Sequence, residues 1–199
     1  MKFATQTTGY AVCDACRSML VRRDLDVEKI GETAAVQEDG SPLQIGASGR
    51  HKKSEFEIVG RIQVAYPAGL WNEWFAIVAG DREGWIGEAM GEYFMSARVE
   101  TPPDLPPFEN LRRGATLTLG GVRYVVTETQ RARVVACQGS LPFVQTSGYD
   151  APVVDLKSET TKGATIDYSE DPPLVFVGEH VEFDQLHLAN LREIEGWNA

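Results

Sequence analysis

Apolar and polar residues alternate along residues 56–66, the spacing that places successive side chains on opposite faces of a β-strand. After a turn containing proline and glycine, apolar and aromatic residues occupy both parities of residues 71–78, as expected for a strand covered on both faces. Glycine-containing turns separate this segment from further strand patterns at residues 85–89 and 93–99. The chain therefore predicts an antiparallel meander organised around the motif Trp-Asn-Glu-Trp at residues 71–74.

The second half of the chain repeats this β pattern. Leu43 and Gly46 recur 68 positions later as Leu111 and Gly114, and the apolar residues at 56 and 58 recur at 124 and 126. We predict an all-β fold of duplicated small antiparallel β-barrel or sandwich units, preceded by a short N-terminal knuckle segment. The strands predicted in the second half cover residues 116–119, 122–127, 131–137, 153–156, 164–168 and 174–183.

Local signals divide the chain into four segments. The four prolines within residues 102–110 cannot donate to a β ladder and favour a stiff, extended connection. Nearer the N-terminus, Asp24 is placed to cap a short helix over residues 25–30. The predicted organisation is a knuckle-like segment and linker at 1–42, a first β repeat at 43–101, the proline-rich linker at 102–110, and a second, divergent repeat with a tail at 111–199.

Cys13 and Cys16 have the Cys-x-x-Cys spacing of a zinc knuckle, in which a tight turn brings two thiolates to one metal ion. A structural zinc site needs four ligands, and the remaining cysteine, Cys137, lies in a predicted strand of the second half. Three interpretations stay open: a cysteine pair without metal, a zinc ion completed by a second chain or by an upstream pair, and a redox pair. The redox interpretation is the weakest, because no βαβ pattern surrounds the two cysteines.

Composition and charge exclude several classes of protein. The chain is 43% hydrophobic, which supplies a core that needs neither disulfides nor metal. Its net charge of -10 disfavours binding to nucleic acid or to anionic lipid. The sequence has neither the roughly 18 consecutive apolar residues of a membrane span nor an N-terminal signal peptide, and its three cysteines do not form a secreted disulfide framework. We therefore predict a cytoplasmic protein without direct membrane insertion.

Four motifs give the chain a resemblance to a known family. These are residues 41–46, residues 56–60, the tryptophan motif at 71–74, and Trp-Ile-Gly-Glu-Ala at 85–89. Together they resemble the bacterial family called domain of unknown function 4178. The resemblance covers residues 43–99 and 111–183 as two copies, of which the second lacks the tryptophan motif.

The resemblance implies neighbouring domains and partner proteins, but it implies no catalytic activity. Longer relatives carry a zinc ribbon with two Cys-x-x-Cys pairs before the first copy, and residues 2–18 resemble that ribbon beginning after its first pair. This implies zinc at Cys13 and Cys16, in an incomplete site that a homodimer is one way to complete. Members of this family are similar in genomic setting, because they lie near phage-shock-like membrane-stress proteins and polyamine-synthesis-like enzymes. The resemblance therefore implies protein partners from a membrane-stress system or from a polyamine-linked system.

The candidate functional residues centre on the tryptophan motif. Glu73 lies between two tryptophans, where shielding raises the pKa of a carboxylate and suits it to acid or base work. We favour the plainer interpretation, in which Glu73 points outward or accepts a hydrogen bond from a backbone or indole donor. Asp155 and Asp167, on neighbouring predicted strands, are a second candidate carboxylate pair for a metal or a hydrolytic water, but their apolar flanking residues also fit solvent-facing positions on alternating strands, and we favour that interpretation. The chain nevertheless contains no complete catalytic motif, so we assign no catalytic residue. The predicted binding residues are Trp71, Asn72, Glu73, Trp74 and Trp85.

Two functions compete for these residues. We expect a non-enzymatic protein-interaction module, which predicts an exposed aromatic patch and isolated carboxylates. The alternative is a small hydrolase-like enzyme that uses Glu73 with Asp81 or Glu88, which predicts a closed pocket where carboxylates converge with shifted pKa values.

Overall fold

The computed structural model describes residues 9–23, 26–67, 69–143 and 150–194. These residues form 13 strands, with antiparallel pairing throughout and no α-helix among them, so the predicted all-β class is confirmed. The strands are β1 (Tyr10–Val12), β2 (Ser18–Arg23), β3 (Asp26–Glu32), β4 (Ser48–His51), β5 (Ser54–Tyr66), β6 (Gly69–Val78), β7 (Arg82–Ala89), β8 (Glu92–Val99), β9 (Thr116–Leu119), β10 (Val122–Leu141), β11 (Asp150–Lys157), β12 (Lys162–Asp167) and β13 (Leu174–Val181), and single 3-10 turns lie at Phe108–Asn110 and Phe183–Leu186.

Eight strands close into a ring. Hydrogen bonds join β5, β6, β7, β8, β13, β12, β11 and β10 in that order, and β10 then pairs with β5. The sequence predicts two related units, but each half of the chain contributes four strands to this one ring. No helix of the described residues is long and apolar enough to cross a membrane.

The long strand β10 closes the ring. The sequence predicts two strands here, at 122–127 and 131–137, separated by the polar residues 128–130. In the structure β10 continues through them, and its first part pairs with β11. Its second part pairs with β5, with Arg133 opposite Ala65 and Gly139 opposite Gly60. A single 20-residue strand thus connects the two halves of the ring.

The offset of 68 residues reappears in the backbone. The N–H of Gly46 donates to Ile58 O at 2.8 Å, and the N–H of Gly114 donates to Val126 O at 2.9 Å. Both glycines have positive φ, 86° and 88°, a conformation that side chains other than glycine rarely adopt. The same turn therefore precedes the hairpins β4–β5 and β9–β10, while duplication of the two complete halves stays a prediction.

The N-terminal strands extend the sheet beyond the ring. β1 pairs with the end of β10, β2 pairs with β1, and β3 pairs with β2. The helix predicted for residues 25–30 is wrong from Asp26 onward, because this segment pairs along the open edge of β2 as β3. Asp24 and Leu25 lie outside the described residues. Tertiary pairing has overridden a local signal for a helix cap.

Both faces of the ring are covered. One apolar cluster fills part of the interior and includes Tyr10, Val12 and Met19 from β1 and β2. Two further clusters cover the outer face, one on each half, beneath the segments that contain Leu43 and Leu111. This double covering explains why apolar residues occupy both parities of the strand at 71–78, as the sequence predicts.

Candidate functional site

The tryptophan motif is divided between the two faces of β6. Trp71 and Glu73 line the interior of the ring, whereas Asn72 and Trp74 lie on the outer face. Trp85 of the neighbouring strand β7 also faces the interior. The division follows from the two-residue period of a strand, and it separates the five predicted binding residues into two environments.

A cavity of about 520 Å³ occupies the interior of the ring. Trp85 is central to its wall, with its ring 5.6 Å from that of Phe143 and 6.2 Å from that of Phe176. Trp71 adds a second indole, 5.1 Å from the ring of Tyr66. The aromatic lining includes Tyr66, Trp71, Trp85, Phe94, Phe143 and Phe176.

Three of the acidic side chains that line the same cavity form what we call the carboxylate cluster: Glu73 of β6, Asp155 of β11 and Asp167 of β12. In the ladder between β11 and β12, Asp155 lies opposite Thr165 and Val153 lies opposite Asp167. The two aspartates are therefore on neighbouring strands and face the same way, as the sequence predicts. Closure of the ring brings both of them near Glu73.

Hydrogen bonds orient each member of the carboxylate cluster. The indole N–H of Trp71 donates to Glu73 Oε1 at 2.8 Å. The hydroxyl of Thr165 donates to Asp155 Oδ1 at 2.9 Å, and the backbone N–H of Ser169 donates to Asp167 Oδ1 at 2.8 Å. Gly87 lies opposite Glu73 in the ladder, and its missing side chain leaves space beside Glu73 Oε2.

Burial raises the pKa of all three carboxyl groups. For Glu73, burial and then the nearby charges of Asp155 and Asp167 together raise the pKa to about 7, despite the opposing hydrogen bond from Trp71. Burial is also the main cause that raises the pKa of Asp155 and of Asp167. All three side chains keep some accessible surface, and that surface faces the cavity. Near neutral pH, Glu73 is therefore poised between its acid and its carboxylate form.

Little positive charge balances this cluster. Among the described residues, no lysine, arginine or histidine forms an ion pair with Glu73, Asp155 or Asp167. The basic residues that line the described part of the cavity are Lys157 and His180, both exposed at strand ends. Burial and the charge of Lys157 lower the pKa of His180, so the imidazole is mostly neutral at pH 7. The cavity is acidic and aromatic.

A separate set of polar side chains, the outer polar network, lies behind β6 and β7. Glu88 Oε2 accepts hydrogen bonds from Ser41 Oγ at 2.6 Å, Trp74 Nε1 at 2.8 Å and Asn72 Nδ2 at 3.1 Å. The guanidinium of Arg61 donates to Asn72 and packs 4.6 Å from the ring of Trp74. Through Ser41, these contacts hold the segment that precedes β4 against the outer face of the ring.

The outer polar network assigns a structural role to several predicted site residues. Trp74 is 1% exposed and Asn72 is 5% exposed, and both are fully engaged within the network. Glu88 shares their face of the sheet, opposite to Glu73, and Asp81 lies in the exposed turn between β6 and β7. The acidic neighbours of Glu73 are therefore Asp155 and Asp167, rather than Asp81 or Glu88.

The convergence of these residues and most of the aromatic lining do not follow from the sequence patterns. Phe94 and Phe176 lie on β8 and β13, which pair far apart in sequence. One signal was present: Asp155 stands between Val154 and Leu156 on β11, and Asp167 follows Ile166 on β12. An acidic residue at an inward position is costly unless it serves a purpose, so its parity marks it as a candidate.

Cys13 and Cys16 lie in the tight turn between β1 and β2. The N–H of Arg17 donates to Cys13 O at 2.7 Å, and the thiol of Cys16 contacts Ser18 Oγ at 3.1 Å. The hydrogen bonds with Ser18 and then with Cys13 lower the pKa of Cys16. Within the described ranges, no three His, Cys, Asp or Glu side chains come together around one metal position, and Cys137 is buried in β10. The turn fits two of four zinc ligands, so zinc stays a prediction that depends on ligands from elsewhere.

Comparison with known proteins adds one result. No curated protein and no solved structure matches the chain. The family model described as a domain of unknown function, DUF4178, matches residues 44–183, which include the whole ring. The chain therefore belongs to the DUF4178 family.

Proposed function

We propose that this protein binds a small organic molecule inside its ring of strands. The observation that carries the proposal is the interior cavity, about 520 Å³ in volume and lined by aromatic rings with a few convergent carboxylates. Ligand pockets in proteins have volumes of roughly 300–1,000 Å³ and this same mixture of apolar walls and few polar groups. Eight-stranded closed sheets also enclose enough space for one small ligand.

The ends of the ring support this proposal. Glu92, Glu128 and Lys157 line the cavity and are exposed, so they mark an opening through which a ligand enters. Apolar side chains of β1 and β2, including Tyr10 and Met19, join the interior cluster and cover another part of the ring. A cavity that is open at an exposed rim and closed elsewhere by packed apolar side chains suits a binding site.

A ligand-observed NMR screen of small organic fragments tests the proposal. Gly87→Leu places a side chain beside Glu73, where the cavity has room. Its matched control is Ala97→Leu, which adds the same side chain at an exposed position of β8. We expect fragments that bind the native chain and Ala97→Leu but not Gly87→Leu. A screen with no fragment sensitive to Gly87→Leu would overturn the proposal.

A hydrolase-like enzyme is the second candidate, and the pKa of about 7 for Glu73 favours it. A general base works best when its pKa lies near the working pH. In such an enzyme the acidic partners of Glu73 would be Asp155 and Asp167, instead of Asp81 or Glu88 as predicted from the sequence. Turnover of a panel of chromogenic esters, lost in Glu73→Gln and kept in Asp81→Asn, would support catalysis. Equal rates in both variants would refute it.

Docking onto proteins of a membrane-stress or polyamine-linked system remains part of our proposal, but at another surface. Trp74 and Trp85 are buried, and Trp71 is turned into the cavity, so the three tryptophans of the described residues do not form an exposed patch. We also propose a cytoplasmic location, which the free thiols of Cys13 and Cys16 support. Pull-down with Trp71→Ala then serves as a check: loss of a partner would place docking at the cavity after all.

A further inference from the structure

We propose that the ligand is an organic ammonium ion, with its charged group against the carboxylate cluster and an apolar body among the aromatic rings. This inference rests on the proposed function, since it names the chemical class that the same cavity selects. Three observations on the described part of the chain carry it: acidic groups without a cationic partner there, aromatic faces beside them, and a buried acceptor without a donor.

The first observation concerns charge. The three carboxyl groups of the carboxylate cluster face one cavity, and among the described residues none of the three has an ion-pair partner. Glu73 Oε1 accepts from Trp71, while no hydrogen bond to Oε2 is present among these residues. Buried carboxylates are stable when paired with a cation or when protonated. A cationic ligand supplies the pairing, whereas an anionic ligand would be repelled.

The second observation concerns the walls. Trp71 stands directly beside Glu73 through its indole hydrogen bond, and Trp85 faces the same space. The faces of indole rings attract alkylammonium groups and also cover apolar chains. A cavity that combines indoles with carboxylates therefore favours an ammonium ion that carries a hydrocarbon body over a strongly hydrated inorganic cation.

The third observation is Gln130, which lines the cavity on β10. Its amide nitrogen makes a long contact of 3.4 Å to Asp155 Oδ2, and its amide oxygen is buried with no hydrogen-bond partner among the described residues. An unsatisfied buried acceptor is costly. An ammonium group beside Asp155 brings three N–H donors to this corner of the cavity. The described residues contain no group that would hold a metal ion there instead.

Matched pairs of ligands separate charge from shape. Hexylamine and 2-phenylethylamine are compared with 1-hexanol and 2-phenylethanol by isothermal titration at pH 8, where Glu73 is mostly ionised. We expect each amine to bind at least about tenfold more tightly than its alcohol, because a charge-assisted hydrogen bond in a buried site contributes this much or more.

Variants locate the site. Glu73→Gln and Asp155→Asn are expected to weaken amine binding by about tenfold each and to leave the alcohols nearly unchanged. Asp81→Asn removes one negative charge from an exposed turn and controls for net charge, so it should bind amines like the native chain.

The outcomes are distinct. If alcohols and amines bind equally well, the ammonium inference is overturned while the proposed cavity function stands. If neither amines nor alcohols bind and no other fragment enters the cavity, the ammonium inference and the proposed cavity function are both overturned. If amines bind equally well to all three variants, their binding lies outside the carboxylate cluster and the inference is wrong.

Discussion

Replacing Glu73 by glutamine is expected to stabilise the protein at pH 8 and to change its stability little at pH 5. Burial raises the pKa of Glu73 from 4.5 to about 7 in the folded chain, so the folded state holds this proton more tightly than the unfolded state. The folded protein therefore loses stability as the pH rises from about 4.5 to about 7. Glutamine is neutral throughout and keeps a carbonyl oxygen to accept from Trp71.

The magnitude follows from the size of this pKa change. Each tenfold difference in proton affinity corresponds to about 1.4 kcal/mol, which sets a ceiling of roughly 3 kcal/mol for Glu73. Its carboxylate keeps some surface toward the cavity, so solvent screening reduces this figure. We expect Glu73→Gln to raise the free energy of unfolding by about 2 kcal/mol at pH 8 and by less than about 1 kcal/mol at pH 5.

Urea denaturation at the two pH values, followed by circular dichroism, measures this difference. Asp81→Asn is the matched control, because it also removes one carboxylate but from an exposed turn, and its effect should stay within about 0.5 kcal/mol. A Glu73→Gln variant that is less stable than the native chain at pH 8 would show that the carboxylate is satisfied in place. An equal gain at both pH values would show that burial of the charge is not the cause.

Three further predictions test other parts of the structure. Trp74→Phe removes the indole donor to Glu88 and should lower the free energy of unfolding, measured by urea denaturation, by about 1–3 kcal/mol. An unchanged free energy of unfolding would show that the outer polar network does not stabilise the fold. Gly178→Ala brings a methyl group into a clash with the backbone oxygen of Met95 and should cost about 2 kcal/mol or more in the same assay, whereas a neutral effect would contradict the close approach of β13 to β8. Elemental analysis is expected to give about half a zinc ion per native chain and none in Cys16→Ser, and a native chain without zinc would exclude the shared site.

Much of the local structure could be predicted from the sequence. The alternation at residues 56–66 marked β5, and apolar residues on both parities of residues 71–78 marked a strand covered on both faces. These predictions succeed because the side-chain period of a strand is local and each face has one environment. The helix predicted at residues 25–30 is wrong from Asp26 onward, because the open edge of β2 with which this segment pairs is a tertiary feature that no local pattern shows.

What the sequence by itself determined is the β class, the strand meander and the parity of each side chain. It placed Trp71 and Glu73 on one face of β6 and Asn72 and Trp74 on the other, but it could not say which face is interior. Only the tertiary structure decided that β10 pairs with β5 and closes the ring. That pairing joins strands more than 60 residues apart, and its register depends on the packing of both halves rather than on any local period. The cavity, and the meeting of Glu73 with the two aspartates of the second half, exist because of this closure.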